Sequence, residues 1–363
     1  MYAIFTRTTQ HAPTQANLTQ ETSPLNKTSN LIDKALSRRV FLAGAGSVAA
    51  TGLIAGCGGT STSPTTTTPS PTNTYTDADI LNFALNLEYL EAQFYLYAAT
   101  GKGLEASDTA APSGYKGSYT QGTLTLGNAM QVGGLSTAQQ QIINEIAYEE
   151  QEHVRFLRSV LGSAAVPMPS IDLSFFGPLA VAAGILTSAQ PAFNPFATFD
   201  SFLVGSFIFE DVGVTAYAGA APLISAAGVT AGYLTAAAGI MGVEAYHAAY
   251  VRTALTASAI AAGSATAFPY ITYANQVAAL RAMLTVGASA APGMSGSVET
   301  ALTLPTSITS SSSIVPASPT TAVGFARSVN QVHHIVYGSA TVGVAKGGFF
   351  PNGTNSIFAT TTA

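Results

Sequence analysis

Glutamate and histidine at helical spacing can hold metal ions, and this chain carries two such pairs. Glu150 precedes His153 by three residues, and Glu244 precedes His247 by the same interval. Each pair alternates with a lone acid followed seven residues later by a tyrosine, Glu88 with Tyr95 and then Glu210 with Tyr217. Positions three, four or seven apart share one face of a helix, so each pair can point at one spot. Four helices contributing Glu, Glu-x-x-His, Glu and Glu-x-x-His make the ligand set of a carboxylate-bridged dinuclear site in a four-helix bundle. Two divalent ions held close together repel. Carboxylates supply negative charge and bridging oxygens, and each imidazole adds a neutral donor. Four glutamates match two divalent cations and leave a neutral centre that tolerates burial. The chemistry open to such a pair of ions is reaction with O2 or H2O2.

Decoy acids surround these positions, and comparing the two halves selects among them. The first segment offers Glu88 or Glu91, but the counterpart of Glu91 in the second half is Gly213, whereas Glu88 is matched by Glu210. Glu91 is therefore assigned to an outer or exposed role. Glu149 and Glu152 crowd His153, yet only Glu150 completes Glu-x-x-His. The match extends to Glu150-x-x-His153-x4-Arg158 and Glu244-x-x-His247-x4-Arg252, and the two arginines are expected to stabilise helix ends. His333 and His334 fall outside the repeat and read as packing or surface residues.

The elements that must carry these residues follow from periodicity and punctuation. A first helix is expected over about Asp77–Thr100, capped by Thr76 or Asp77 and stopped by Gly101, with an apolar face of Ile80, Ala84, Leu87 and Phe94. A long loop rich in Gly, Ser and Tyr follows. Ser136-x-x-Gln139 is a capping-box pattern opening a second helix to about Leu161, its apolar side read as Ile142, Ile146, Phe156 and Val160. Pro167, Pro169, Pro191 and Pro195 mark a long crossover. A third helix spans about Phe199–Gly219, ending before Pro222, and a fourth about Ala231–Ala257. Beyond them come a weak helix near Tyr270–Thr285, a Ser/Thr/Pro run, a short helix within Phe325–Tyr337, and an aromatic turn at Gly347–Gly353.

Composition narrows the function. Only 9% of the 363 residues are charged, against roughly 25% in an average soluble domain, which makes each acid inside an apolar helix conspicuous. With Lys+Arg 13 against Asp+Glu 18 and a net charge of −5, the chain lacks the clustered Lys and Arg of a nucleic-acid surface. One cysteine, Cys57, rules out an intrachain disulfide.

At these residues the chain resembles the ferritin-like superfamily, whose first helix shares the Glu-x6-Tyr spacing. The two C-terminal segments, Phe325–Tyr337 and Gly347–Gly353, resemble the extension of the bacterial ferritin-like subfamily known as desiccation-related proteins. The resemblance covers about 75–350. It implies an all-α fold, a ferritin-like four-helix bundle (75–258) with a long A–B loop and a B–C crossover, and a C-terminal extension (259–363) packed on the bundle. It implies metal ligands at Glu88, Glu150, His153, Glu210, Glu244 and His247. Tyr95 and Tyr217 either hydrogen-bond ligand carboxylates or serve electron transfer, or are simply core tyrosines. The ions implied are two Fe, with two Mn as the alternative. The implied role is a ferroxidase or peroxide-handling protein of stress protection. The alternative is a non-catalytic cell-envelope protein on the same bundle, its metal site vestigial or stabilising. Near the N-terminus, Ser37-Arg38-Arg39-Val40-Phe41-Leu42 resembles a twin-arginine export signal. The apolar run Val40–Ile54 is shorter than the ~20 residues of a membrane span, and Leu53-Ile54-Ala55-Gly56-Cys57 resembles a lipobox. The expectation is an export signal over 1–56, a lipid anchor on Cys57, a Pro/Thr/Ser tether over 57–74, and a periplasmic or cell-envelope location. A membrane anchor and a large extension argue against a 24-subunit storage shell, and leave room for a smaller homo-oligomer.

Overall fold

The computed structural model describes residues 75–187, 193–291, 298–303, 314–318 and 320–362. Arg38, Arg39, Cys57 and the tether lie outside the described residues.

Four long helices carry the six candidate residues, and local chemistry sets their ends. Helix α1 (Asp77–Thr100) opens on a reciprocal capping box between Thr76 and Asp79 and stops at Gly101, whose φ of 72° is left-handed. Helix α2 (Thr137–Leu161) opens on the expected box between Ser136 and Gln139. Helix α3 (Phe199–Ala220) is capped the same way by Thr198 and Ser201. Helix α4 (Tyr233–Ala261) starts later than expected, because a separate short helix, Ala226–Ala231, precedes it and ends at Gly232. α1 packs along α2, α3 along α4, and α1 also touches α3. The all-α bundle is thus realised. A two-residue parallel pairing, β1 (Leu124–Thr125) with β2 (Ile171–Asp172), joins the α1–α2 loop to the crossover.

The C-terminal part packs on the bundle. Helix α5 (Tyr270–Leu284) lies against α3 and α4, and helix α6 (Val329–Val336) against α3 and α5. The Phe349 ring meets Phe176 and Phe209 at 5.0 and 5.1 Å between centroids. The Asn355 amide N–H donates to Asn86 Oδ1 at 2.8 Å. This covering layer explains why α1 is buried along nearly its whole circumference from Ile80 to Tyr95, not on the single face expected from its apolar residues. α3 is likewise apolar and buried on all sides; with its continuation to Leu223 it is long and apolar enough to cross a membrane, but it forms the centre of this fold.

α2 lies at the periphery and buries one stripe: Ile143, Ile146, Ala147, Glu150, His153, Val154 and Leu157. That stripe corrects the sequence reading, because Phe156 is exposed and Ile142 and Val160 only half-buried. Glu150 and His153 set the inward direction, and Phe156, six positions past Glu150 and about 240° further round the helix, has rotated out of it.

Candidate metal centre

All six residues expected to ligate metal converge at the bundle's centre and are buried. They form two sets, in each of which the donor atoms lie within 4.8 Å of one another: Glu88, Glu150, His153 and Glu244, and Glu150, Glu210 and His247. Glu150 belongs to both, the place of a bridging carboxylate. His153 Nδ1 lies 3.2 Å from Glu88 Oε2 and 3.6 Å from both Glu150 Oε2 and Glu244 Oε1. His247 Nδ1 lies 3.1 Å from Glu150 Oε1 and 3.5 Å from Glu210 Oε2. Despite this proximity, both oxygens of Glu150 and Glu244, Glu210 Oε2 and His247 Nδ1 have no hydrogen-bond partner. Buried polar atoms rarely go unpaired. Here they are oxygen and imidazole donors aimed at one space, which fits a pair of divalent transition-metal ions.

The two tyrosines bind across the bundle. The Tyr95 hydroxyl donates to Glu210 Oε1, and the Tyr217 hydroxyl to Glu88 Oε1. Seven residues span about 10 Å along a helix, so neither tyrosine serves the glutamate of its own helix. The crossed bonds require α1 and α3 to run in opposite directions, and they turn the second oxygens of Glu88 and Glu210 inward.

Burial and mutual repulsion shape the charge. Burial raises Glu88 and Glu210 above the usual carboxylate range, and it raises Glu91 and Glu244 further, helped by the repulsion of Glu150. Burial also works against charge on Glu150, but His153 and His247 beside it outweigh that and bring it down to about 2. Burial opposes a proton on His153, yet Glu88 and Glu150 lift it to about 12, and Glu210 and Glu150 raise His247 likewise.

The sequence comparison agrees with this geometry. A ferritin-like domain profile matches residues 76–257, half of the chain and all four ligand-bearing helices up to α4's last turn. The chain belongs to the ferritin-like family. Among its relatives, ferritin-like catalase Nec2 of Nesocodon mauritianus is 31% identical over 182 residues, 48% of this chain and 52% of that protein. Desiccation-related protein PCC13-62 of Craterostigma plantagineum is 34% identical over 185 residues, 50% of this chain and 53% of that protein. The chain thus spans about half the length of the curated relatives it matches.

Three parts of this ferritin-like site differ from, or were missed by, the sequence reading. Glu91 is not exposed: it is buried on α1 and lines a cavity of about 20 Å³, together with Leu87, Val212, Gly213, Ile335 and Phe349, room for about one water molecule. Gly213 is required there. A Cβ at that position would clash with Glu244 Oε2 and lie 3.3 Å from Glu91 Oε1. Arg158 lies in the last turn of α2, as expected, whereas Arg252 sits well inside α4; both guanidinium groups reach to other parts of the chain. The Arg158 guanidinium donates to Tyr89 Oη at 2.5 Å and to the Ala110 carbonyl at 2.7 Å. Arg252 grips both oxygens of Asp211 at 2.8 Å. Tyr89 and Asp211 directly follow Glu88 and Glu210, so each arginine clamps a Glu-x-x-His helix to its partner at the level of the site. Glu149, passed over as a decoy, accepts through Oε2 from His247 Nε2–H at 2.6 Å. His333 is a packing residue, buried against Phe83 and Tyr337, and burial lowers it to about 3.

Proposed function

We infer that this chain holds two iron ions, with manganese as the alternative, and removes hydrogen peroxide. The observation that carries the reading is the set of unpaired, inward-facing donors on Glu150, Glu210, Glu244 and His247, arranged as two sets that share Glu150. The name of the relative from Nesocodon, a ferritin-like catalase, favours peroxide disproportionation (two H2O2 giving two H2O and O2) over oxidation of stored iron. When bound, a redox-active metal pair supplies the two electrons exchanged with each peroxide in turn.

The chain's own groups do the rest. Glu88, Glu150, Glu210 and Glu244 balance the charge of the ions, and His153 and His247 set one nitrogen donor in each set. Tyr95 and Tyr217 fix the outer oxygens of Glu210 and Glu88. Glu91, outside the ligand set, lies beside the centre, and burial raises its carboxyl above the ordinary range. The aromatic cluster of Phe94, Phe176, Phe202 and Phe209 excludes water from the Tyr95 side.

The segments around Arg38, Arg39 and Cys57 support export by a twin-arginine route and tethering to a membrane in the cell envelope. A folded, metal-loaded chain suits that route. The scarcity of Lys and Arg argues against a nucleic-acid partner, and the partners of this reading are the metal ions with O2 or H2O2. The relative from Craterostigma, named desiccation-related, favours a stress-protective setting. Full-length protein loaded with Fe(II) or Mn(II) should evolve O2 from H2O2 over many turnovers, and Glu150→Ala should abolish it. A chain that holds two ions but evolves no O2 and consumes no peroxide would establish the structural role instead.

A further inference from the structure

The two halves of the repeat differ around their histidines, and the difference faces solvent. Aligning Glu150–His153 with Glu244–His247 sets Glu149 against Val243. Between α2 and α4 runs a groove of about 280 Å³ lined by Glu145, Ile146, Glu149, Val243, Tyr246 and His247. Its acids are graded in depth: Glu145 is exposed, Glu149 half-buried, and His247 at the floor buried. Glu145 and Glu149 are four residues apart and share one helix face. Glu149 Oε2 stands 2.6 Å from His247 Nε2, while Nδ1 of the same ring faces Glu150 and Glu210 without a hydrogen-bond partner. A carboxylate on the far nitrogen of an imidazole fixes the ring and its tautomer for metal binding. His153, by contrast, does not line this groove.

Resting on the metal-centre reading, we propose that the α2–α4 groove is the route by which divalent cations reach the centre. Glu145 and Glu149 pass the ion inward, and the position held by Glu150, Glu210 and His247 fills before the one held by Glu88, Glu150, His153 and Glu244. Carboxylates along a cleft with low-dielectric walls concentrate cations and speed their arrival. Glu149 adds a positioning role, since its contact with Nε2 keeps Nδ1 turned inward. The fast site is therefore the one the groove reaches, and the asymmetry follows the acids Glu145 and Glu149, whose counterparts in the other half are Gly239 and Val243.

The test is the rate of cobalt(II) uptake by metal-stripped full-length protein, followed by the absorption of protein-bound cobalt after rapid mixing with cobalt chloride. Two phases and two ions per chain are expected, and His247→Ala should remove the fast phase alone. Glu149→Gln keeps an acceptor for the imidazole and removes the charge. It should slow the fast phase about tenfold or more, leave two ions bound at the end, and lose most of the salt dependence of that phase. Glu149→Asp should keep the fast phase, which separates loss of charge from a damaged fold. Glu149→Gln that binds two ions at the wild-type rate, or slows only the slow phase, would overturn the route while leaving the centre intact. Wild-type protein that takes up no cobalt would overturn the centre and the route with it.

Discussion

Each buried glutamate at the centre has one oxygen for structure and one for chemistry, or both for chemistry, and the tyrosines decide which. Glu88 and Glu210 spend Oε1 on Tyr217 and Tyr95; Glu150 and Glu244 keep both oxygens unpaired. Tyr217→Phe or Tyr95→Phe should therefore weaken metal binding by about 10–100-fold without unfolding the chain, measured by competition with a chelator; unchanged affinity would assign these rings to packing alone. Protons hold the same groups together when no ion does. His153 and His247 are raised above their ordinary range, as are Glu88, Glu210 and Glu244, so an arriving ion must displace protons. Uptake should release protons, and affinity should fall as pH falls, by up to about tenfold per pH unit for each proton displaced. Titration in weak buffer with a pH electrode checks the release. At this scale the sequence was most legible for what the two halves share. The six candidate ligands stood out because the same spacing occurs twice, each time inside an apolar helix. Glu149 and Glu91 did not, because comparing halves discards any residue present in only one, and both matter through that asymmetry. The shared arginines were visible, but their partners, Tyr89 and Asp211, lie on other helices and no local pattern names them.

Among the elements, α1 and α3 are the ones the site depends on, and both are buried on every side. For α3 the sequence hinted at this, since Glu210 directly follows Phe207-Ile208-Phe209 and has apolar neighbours all round; for α1 it showed one apolar face, and periodicity alone cannot say what covers the second. α2 illustrates the opposite case: it buries a narrow stripe and leaves Phe156 and Tyr148 exposed. Helix ends were legible to within a residue or two where Thr76, Ser136 and Thr198 cap them, and less so at the C-terminal end of α4, which runs on to Ala261 instead of stopping near Ala257. Where α3 passes the site, Gly213 leaves space for Glu244 and Glu91. Gly213→Ala favours helix by about 1 kcal/mol on propensity, yet its methyl should displace Glu244. The expected outcome is a helical chain with normal far-UV circular dichroism that binds metal more weakly. Wild-type affinity would show that the space is not needed.

At the scale of the whole molecule, the C-terminal part is joined to the bundle by a buried ionic network centred on α3. Asp211 is held by Arg252 of α4 and Arg281 of α5 at 2.8 and 2.9 Å, and Glu299 joins Arg281 at 2.8 Å and Arg327. The Arg281 and Arg252 guanidinium groups also lie over the Phe207 ring at 4.6 and 5.1 Å. Burial opposes ionisation of Asp211, but the two arginines outweigh it and hold the carboxyl below its usual range. Removing one member of such a network strands the others: Asp211→Ala should destabilise the fold by about 3–5 kcal/mol, read as a lower denaturation midpoint. A change near zero would show that the arginines find other partners. This network was not legible in the sequence, because Asp211, Arg252, Arg281, Glu299 and Arg327 are scattered over more than a hundred residues and meet only in the fold.

The central claim is that the buried acids and histidines exist to hold two metal ions, and metal content tests it most directly. Full-length protein, purified without chelators and assayed by elemental analysis, should carry close to two ions of iron or manganese per chain. Glu150→Ala with Glu244→Ala should carry none, and stripping the wild type should lower its unfolding temperature. Purified protein without metal, unable to take up Fe(II) or Mn(II) and equally stable with and without them, would contradict the account.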